Sequence, residues 1–161
     1  MLAYVFWHRA RDDADPAAYA QAQRSFHASL ETPSASFRLA ELPFIGKNGY
    51  EDWYLVEGWA ALGELNRAAV DSRRRIDHDR VASLATDGWG AVYALAGGRA
   101  TIPDHVEWLE KPRETSYDDF VTSLPEATIW QRQMVLGPGP EFCVAAHAPG
   151  ATVRERIWPA P

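Results

Sequence analysis

"VEWLEKPRETSYDDFVTSLPEATIWQRQMVL", from Val106 to Leu136, repeats a pattern set earlier by "VFWHRARDDADPAAYAQAQRSFHASLETPSASFRLAEL", Val5 to Leu42. Each stretch opens on a short apolar run with a tryptophan in third place. A charged turn follows, then an amphipathic segment, then a second extended run. Aligning the two puts Val5 on Val106 and Trp7 on Trp108. This pattern is that of an internal duplication of a βαββ unit.

The elements on either side complete it. "LAYVFWHRA" (Leu2 to Ala10) is aromatic and β-branched and predicts a strand. Asp15 and Pro16 supply an N-cap and a first helical residue, after which Tyr19, Ala22, Phe26 and Leu30 recur on one helical face. "SASFRLAELPFI" and "YEDWYLVEGW" read as strands joined through "GKNG", where Asn48-Gly49 is suited to the positive φ angles of a hairpin. Leu62, Leu65 and Ala69 mark a second helix, and Ile76, Val81 and Leu84 a further helical stretch. "GWGAVYALAGG" is a fourth strand. Residues 1–98 thus read βαββαβ. Residues 99–104 form a linker, and residues 105–161 repeat the pattern in truncated form. In the second copy Ser116 and Asp119 stand at capping-box spacing, and Tyr117, Phe120, Val121 and Leu124 line a helix face. "TIWQRQMVL" and "EFCVAAH" follow as strands, and "ATVRERIWP" takes the place of a second helix.

The totals set outer limits. A chain of 161 residues, 47% hydrophobic and 24% charged, can bury the core of one ordinary domain. A net charge of -6 argues against a nucleic-acid partner, and the basic run "SRRRIDHDR" is broken by Asp77 and Asp79. Cys143 is the one cysteine, which rules out an internal disulfide and points to a reducing, cytoplasmic setting. The first residues read as a strand and not as a signal peptide, and no run approaches the ~20 apolar residues of a membrane span, so no membrane partner is expected.

A βαββαβ unit whose third strand passes into a helix as "YLVEGWAALGELNRAA" resembles the dimeric α/β-barrel superfamily of ferredoxin-like proteins. The resemblance implies an α+β fold. In it, two antiparallel sheets, here from tandem halves of one chain, pack into a barrel around a cavity. The superfamily holds cofactor-free monooxygenases, haem-degrading enzymes, isomerases and proteins without known activity. It has no shared catalytic signature, so no functional residue is carried over, and the cofactor is left open.

Strand alternation sorts the side chains into faces. With Val5, Trp7 and Trp108 set against the helices, the inner faces would hold Tyr4, Phe6, His8, Arg38 and Tyr54 from the first half. The second half would add His105, Glu107, Gln131, Gln133 and His147. Antiparallel first and third strands would bring His105 and Glu107 to His147. Two imidazoles and a carboxylate bind a divalent metal or form an acid–base pair; at strand ends they are also ordinary hydrogen-bonded rim residues, and no metal site is assigned. The functional expectation is a small-molecule pocket enzyme of the monooxygenase or isomerase type, acting on a planar, partly apolar substrate. His105, Glu107, His147 and His8 would be its proton-transfer residues. Tyr4, Phe6, Tyr54, Arg38, Gln131 and Gln133 would bind substrate. The alternative is a non-catalytic ligand-binding or structural barrel. His27 and His78 read as surface residues. The uncovered second half suggests a homodimer with Trp158 near the interface.

Overall fold

Strand β1 (Leu2–Ala10) is paired on both sides, antiparallel to β5 (Gly49–Val56) from Leu2 to Arg9 and to β6 (Ala85–Gly97) along its whole length. It is the axis of a computed structural model that describes residues 1–42, 44–71, 74–135, 137–146 and 151–159. Between β1 and β5 come α1 (Pro16–Ser29), β2 (Ser34–Leu39) and a small ribbon of β3 (Glu41–Leu42) and β4 (Gly46–Lys47). Helices α2 (Trp59–Ala69) and α3 (Arg75–Leu84) lead into β6. The second part supplies β7 (Val106–Leu109), α4 (Tyr117–Ser123), β8 (Ile129–Val135), β9 (Phe142–Ala145) and β10 (Arg154–Trp158).

The local signals act as their chemistry requires. The Asp15 carboxylate accepts from Ala17 N and Ala18 N at 3.3 and 3.1 Å, capping α1 with Pro16 in its first turn. Ser116 Oγ accepts from Asp119 N at 3.1 Å and donates to Asp119 Oδ2 at 2.7 Å, a reciprocal cap on α4. The β2–β5 connection differs from the expected turn. Its positive φ angles fall at Gly46 and Asn48, and Gly49 already belongs to β5.

Eight strands form one antiparallel sheet in the order β10-β2-β5-β1-β6-β8-β9-β7. In a flat sheet β1 and β7, four positions apart, would be separated by about 19 Å. Instead the Trp7 and Trp108 rings meet edge to face with centroids 5.2 Å apart, so the sheet is strongly curled into a half-barrel. The two ends of the curl also touch: Thr152 N donates to Val106 O at 2.8 Å, and Arg156 Nε donates to Asp104 Oδ1 at 2.6 Å. Strand β10 pairs with β2 of its own chain, with Trp158 opposite Ser36.

The inside of the curl is filled by side chains. Trp7, Trp53, Trp130, Tyr93, Phe37 and Cys143 are all buried there. Among them lies a fully buried ion pair between Glu51 and Arg154. Glu51 also accepts from Trp7 Nε1 at 2.9 Å and from Trp53 Nε1 at 2.6 Å, and the Arg154 guanidinium lies 3.9 Å from the Phe37 ring centre. The expected assignment of faces is therefore reversed. Val5, Trp7 and Trp108 point into the curl, and Tyr4, Phe6 and His8 face α1, α2 and α3. Both faces of β1 are covered, so an apolar residue on either one satisfies the hydrophobic effect and alternation does not tell inside from outside.

Candidate functional site

Between the sheet and helices α1, α2 and α3 lies a cavity of about 800 Å³. β1 contributes Tyr4, Phe6 and His8 to it, two residues apart on one face. β5 contributes Asp52 and Tyr54, and α1 contributes Gln23, Phe26 and Leu30. Leu62, Leu65 and Asn66 of α2 and His78 and Val81 of α3 form the far wall, with the exposed Trp59 and Met134 at the rim. Two glycines of β6 shape the near wall. A Cβ at Gly88 would stand 2.6 Å from the Phe6 ring, and one at Gly90 would stand 2.6 Å from the Tyr4 ring. Their absence lets both rings lie across β6.

The polar floor is centred on Asp52. His8 Nε2 lies 3.0 Å from Asp52 Oδ2, and Gln23 Nε2 donates to the same oxygen at 3.2 Å. With the carboxylate ionised, His8 carries its proton on Nε2, and Nδ1 accepts from the Tyr19 hydroxyl at 2.6 Å. Gln23 Nε2 then stands 3.0 Å from His8 Nε2 as the third side of a triangle of two donors and one acceptor. On the other side of the carboxylate, His27 Nε2 is 3.3 Å from Asp52 Oδ1, an ion-pair distance without hydrogen-bond alignment. His27 Nδ1 meets Ser34 Oγ at 2.9 Å, and its ring stacks on Tyr54 at 5.2 Å.

Burial alone would raise the Asp52 carboxyl. The neighbouring His8 and His27 imidazoles outweigh it and hold the group well below the ordinary carboxylate value. Burial, reinforced by the Asp52 charge, pushes the Tyr54, Tyr19 and Tyr4 hydroxyls up. All three are therefore protonated at neutral pH, so they act as donors and not as bases. The floor combines an ionised carboxylate, two imidazoles and phenolic donors in a buried site, where each electrostatic contact is stronger than in water. Among the described residues no group of three or more His, Cys, Asp or Glu is placed to hold a metal ion.

Of the residues singled out from sequence, Tyr4, Phe6, His8 and Tyr54 come together on this pocket. Arg38 does not: it is exposed and pairs with Glu155 at 2.7 Å. His105, Glu107 and Gln133 are exposed, Gln131 is half-buried, and none of them lines the cavity. Val106 and Trp108 take the inward positions of β7, and alternation turns His105 and Glu107 outward. His147 lies outside the described residues.

His27 is buried and not on the surface, and His78 lines the pocket wall. The residues missed were Asp52, Gln23 and Tyr19. A signal for two of them was present: Tyr19, Gln23 and His27 recur every four residues in α1, a polar stripe at helical spacing on the side that also carries Phe26. No protein-family model matches the chain, and neither a curated protein nor a solved structure proved significantly similar to it.

Proposed function

We propose that the protein holds a planar, partly apolar small molecule between the helices and the sheet, and that His8, held by Asp52, exchanges a proton with it. This is chemistry of the isomerase or monooxygenase type. The observation that carries the reading is the buried His8–Asp52 pair at the floor of an aromatic-walled cavity. Asp52 and Gln23, the partners of Nε2, line the cavity, whereas Tyr19, the partner of Nδ1, does not. Nε2 is thus the nitrogen on the pocket side. To take a proton from the ligand the ring must carry its own proton on Nδ1, with the Tyr19 oxygen accepting from it. Nε2 then exchanges its contact with Gln23 for one with the ligand, and Asp52 stabilises the imidazolium that forms.

A second reading, ligand binding without chemistry, has its own support: both ring nitrogens of His8 already have partners. Exchange of the enolisable protons of 2-tetralone in D2O, followed by NMR, separates the two. The acid–base reading expects exchange above buffer, reduced on the order of a hundredfold or more in Asp52→Asn and His8→Phe. Binding without any exchange leaves the second reading.

The tandem-barrel reading of the fold is part of the same proposal. It is supported by the strand order β2-β5-β1-β6, which is that of a ferredoxin-like βαββαβ unit, and by the order β8-β9-β7 of the second part. Strand β10, linked to β2 by pairing and preceded by the Thr152–Val106 hydrogen bond, stands where a fourth strand of the second unit would close the barrel.

A further inference from the structure

The charges around the pocket narrow what it can take. Among the described lining residues there is no lysine or arginine; the charged or chargeable ones are Asp52, Asp87, His8 and His78. Of the nearby arginines, Arg9 pairs with the lining residue Asp87, and Arg74 pairs with Glu31 at 3.2 Å. His78 pairs with Asp79 at 3.2 Å. An anionic head group would enter beside the ionised Asp52 with no lysine or arginine among the described lining residues to meet it, at a cost that burial of the floor increases.

Gln23 Oε1, like Asp52 Oδ1 and His27 Nε2, is a buried polar atom of the site without a hydrogen-bond partner. Gln23 itself is fully buried. The Tyr4 hydroxyl makes no hydrogen bond among the described residues. A buried amide oxygen without a donor is a defect in a closed core and an asset beside a cavity, where a ligand O–H satisfies it. The π faces of Tyr4, Phe6 and Tyr54 supply the apolar contact.

We infer that this pocket selects uncharged aromatic ligands bearing a hydroxyl, which Gln23 Oε1 receives, and rejects aromatic carboxylates. The inference rests on the pocket reading above and goes beyond it in naming the ligand class. Three probes sharing one ring system test it by calorimetry at neutral pH: 2-naphthol, naphthalene and 2-naphthoate. The expected order is naphthol tightest, with naphthoate weaker by about tenfold or more. Gln23→Leu should weaken naphthol several-fold and leave naphthalene unchanged or tighter. Tyr4→Phe, which keeps the ring, serves as the milder second variant, and thermal unfolding checks that both are folded. Naphthoate binding as tightly as naphthol would overturn the inference while leaving the pocket reading intact. Naphthol and naphthalene binding equally would remove the role of Gln23. Failure of all three probes to bind would overturn the pocket reading itself.

Discussion

Glu51 and Asp52 are neighbours in β5, both buried, and they point to opposite faces of the sheet. Glu51 lies inside the curl against Arg154, Trp7 and Trp53; Asp52 lies on the helix side against His8 and His27. One dipeptide thus supplies the ionic centre of both cores. A strand alternates with period two, so a pair of acidic residues in a strand buried on both faces must find two separate sets of partners.

The Glu51–Arg154 pair ties β10 to the inside of the curl. Arg154→Met leaves a carboxylate buried with only two indole donors and should cost about 3–5 kcal/mol in urea unfolding. The double variant Glu51→Gln, Arg154→Met should recover much of that loss, because the unpaired charge is gone. A single variant as stable as the parent would show that the pair carries no such role.

Asp52 makes stability depend on acid. Its folded pKa lies below the value of about 3.9 for a free aspartate, so in acid the unfolded chain binds the extra proton more readily than the folded one. The stabilisation is complete above that value and is lost as pH falls below it towards the folded pKa. Urea unfolding between pH 7 and pH 3 should therefore show a flatter acid decline for Asp52→Asn than for the parent. Parallel curves would contradict the assignment.

Gly88 and Gly90 are predicted to set the size of the pocket. Gly88→Ala places a methyl against the Phe6 ring and Gly90→Ala places one against the Tyr4 ring. Neither glycine has a positive φ, so the effect is steric and not a matter of backbone strain. Each variant should lose about 1–3 kcal/mol of stability and swing a ring into the cavity, weakening naphthol binding. Unchanged affinity would mean that these rings do not bound the site.

How far the sequence could be read differs from element to element. Asp15-Pro16 and Ser116 marked helix starts through their own side chains, and those signals are local. The succession of extended and helical runs was legible from their periodicity, but not how the strands lie side by side. Which way each strand faced did not follow, because β1 is covered on both sides and Trp7 is as well placed inside the curl as beneath a helix. The error carried through to the site: with Trp108 inward, His105 and Glu107 turn to solvent. Asp52 was hidden for a related reason. In "YEDWY" an acidic pair looks solvent-exposed, and only the approach of α1 with Gln23 and His27 makes burial of the charge affordable.

The position of the bound molecule is the most direct test. Intermolecular nuclear Overhauser effects between 2-naphthol and the side chains of the 161-residue chain report which face of the sheet it occupies. The account predicts contacts to Tyr4, Phe6, His8 and Tyr54 on the helix side. Contacts to Trp7, Trp53 or Trp108 inside the curl would contradict it.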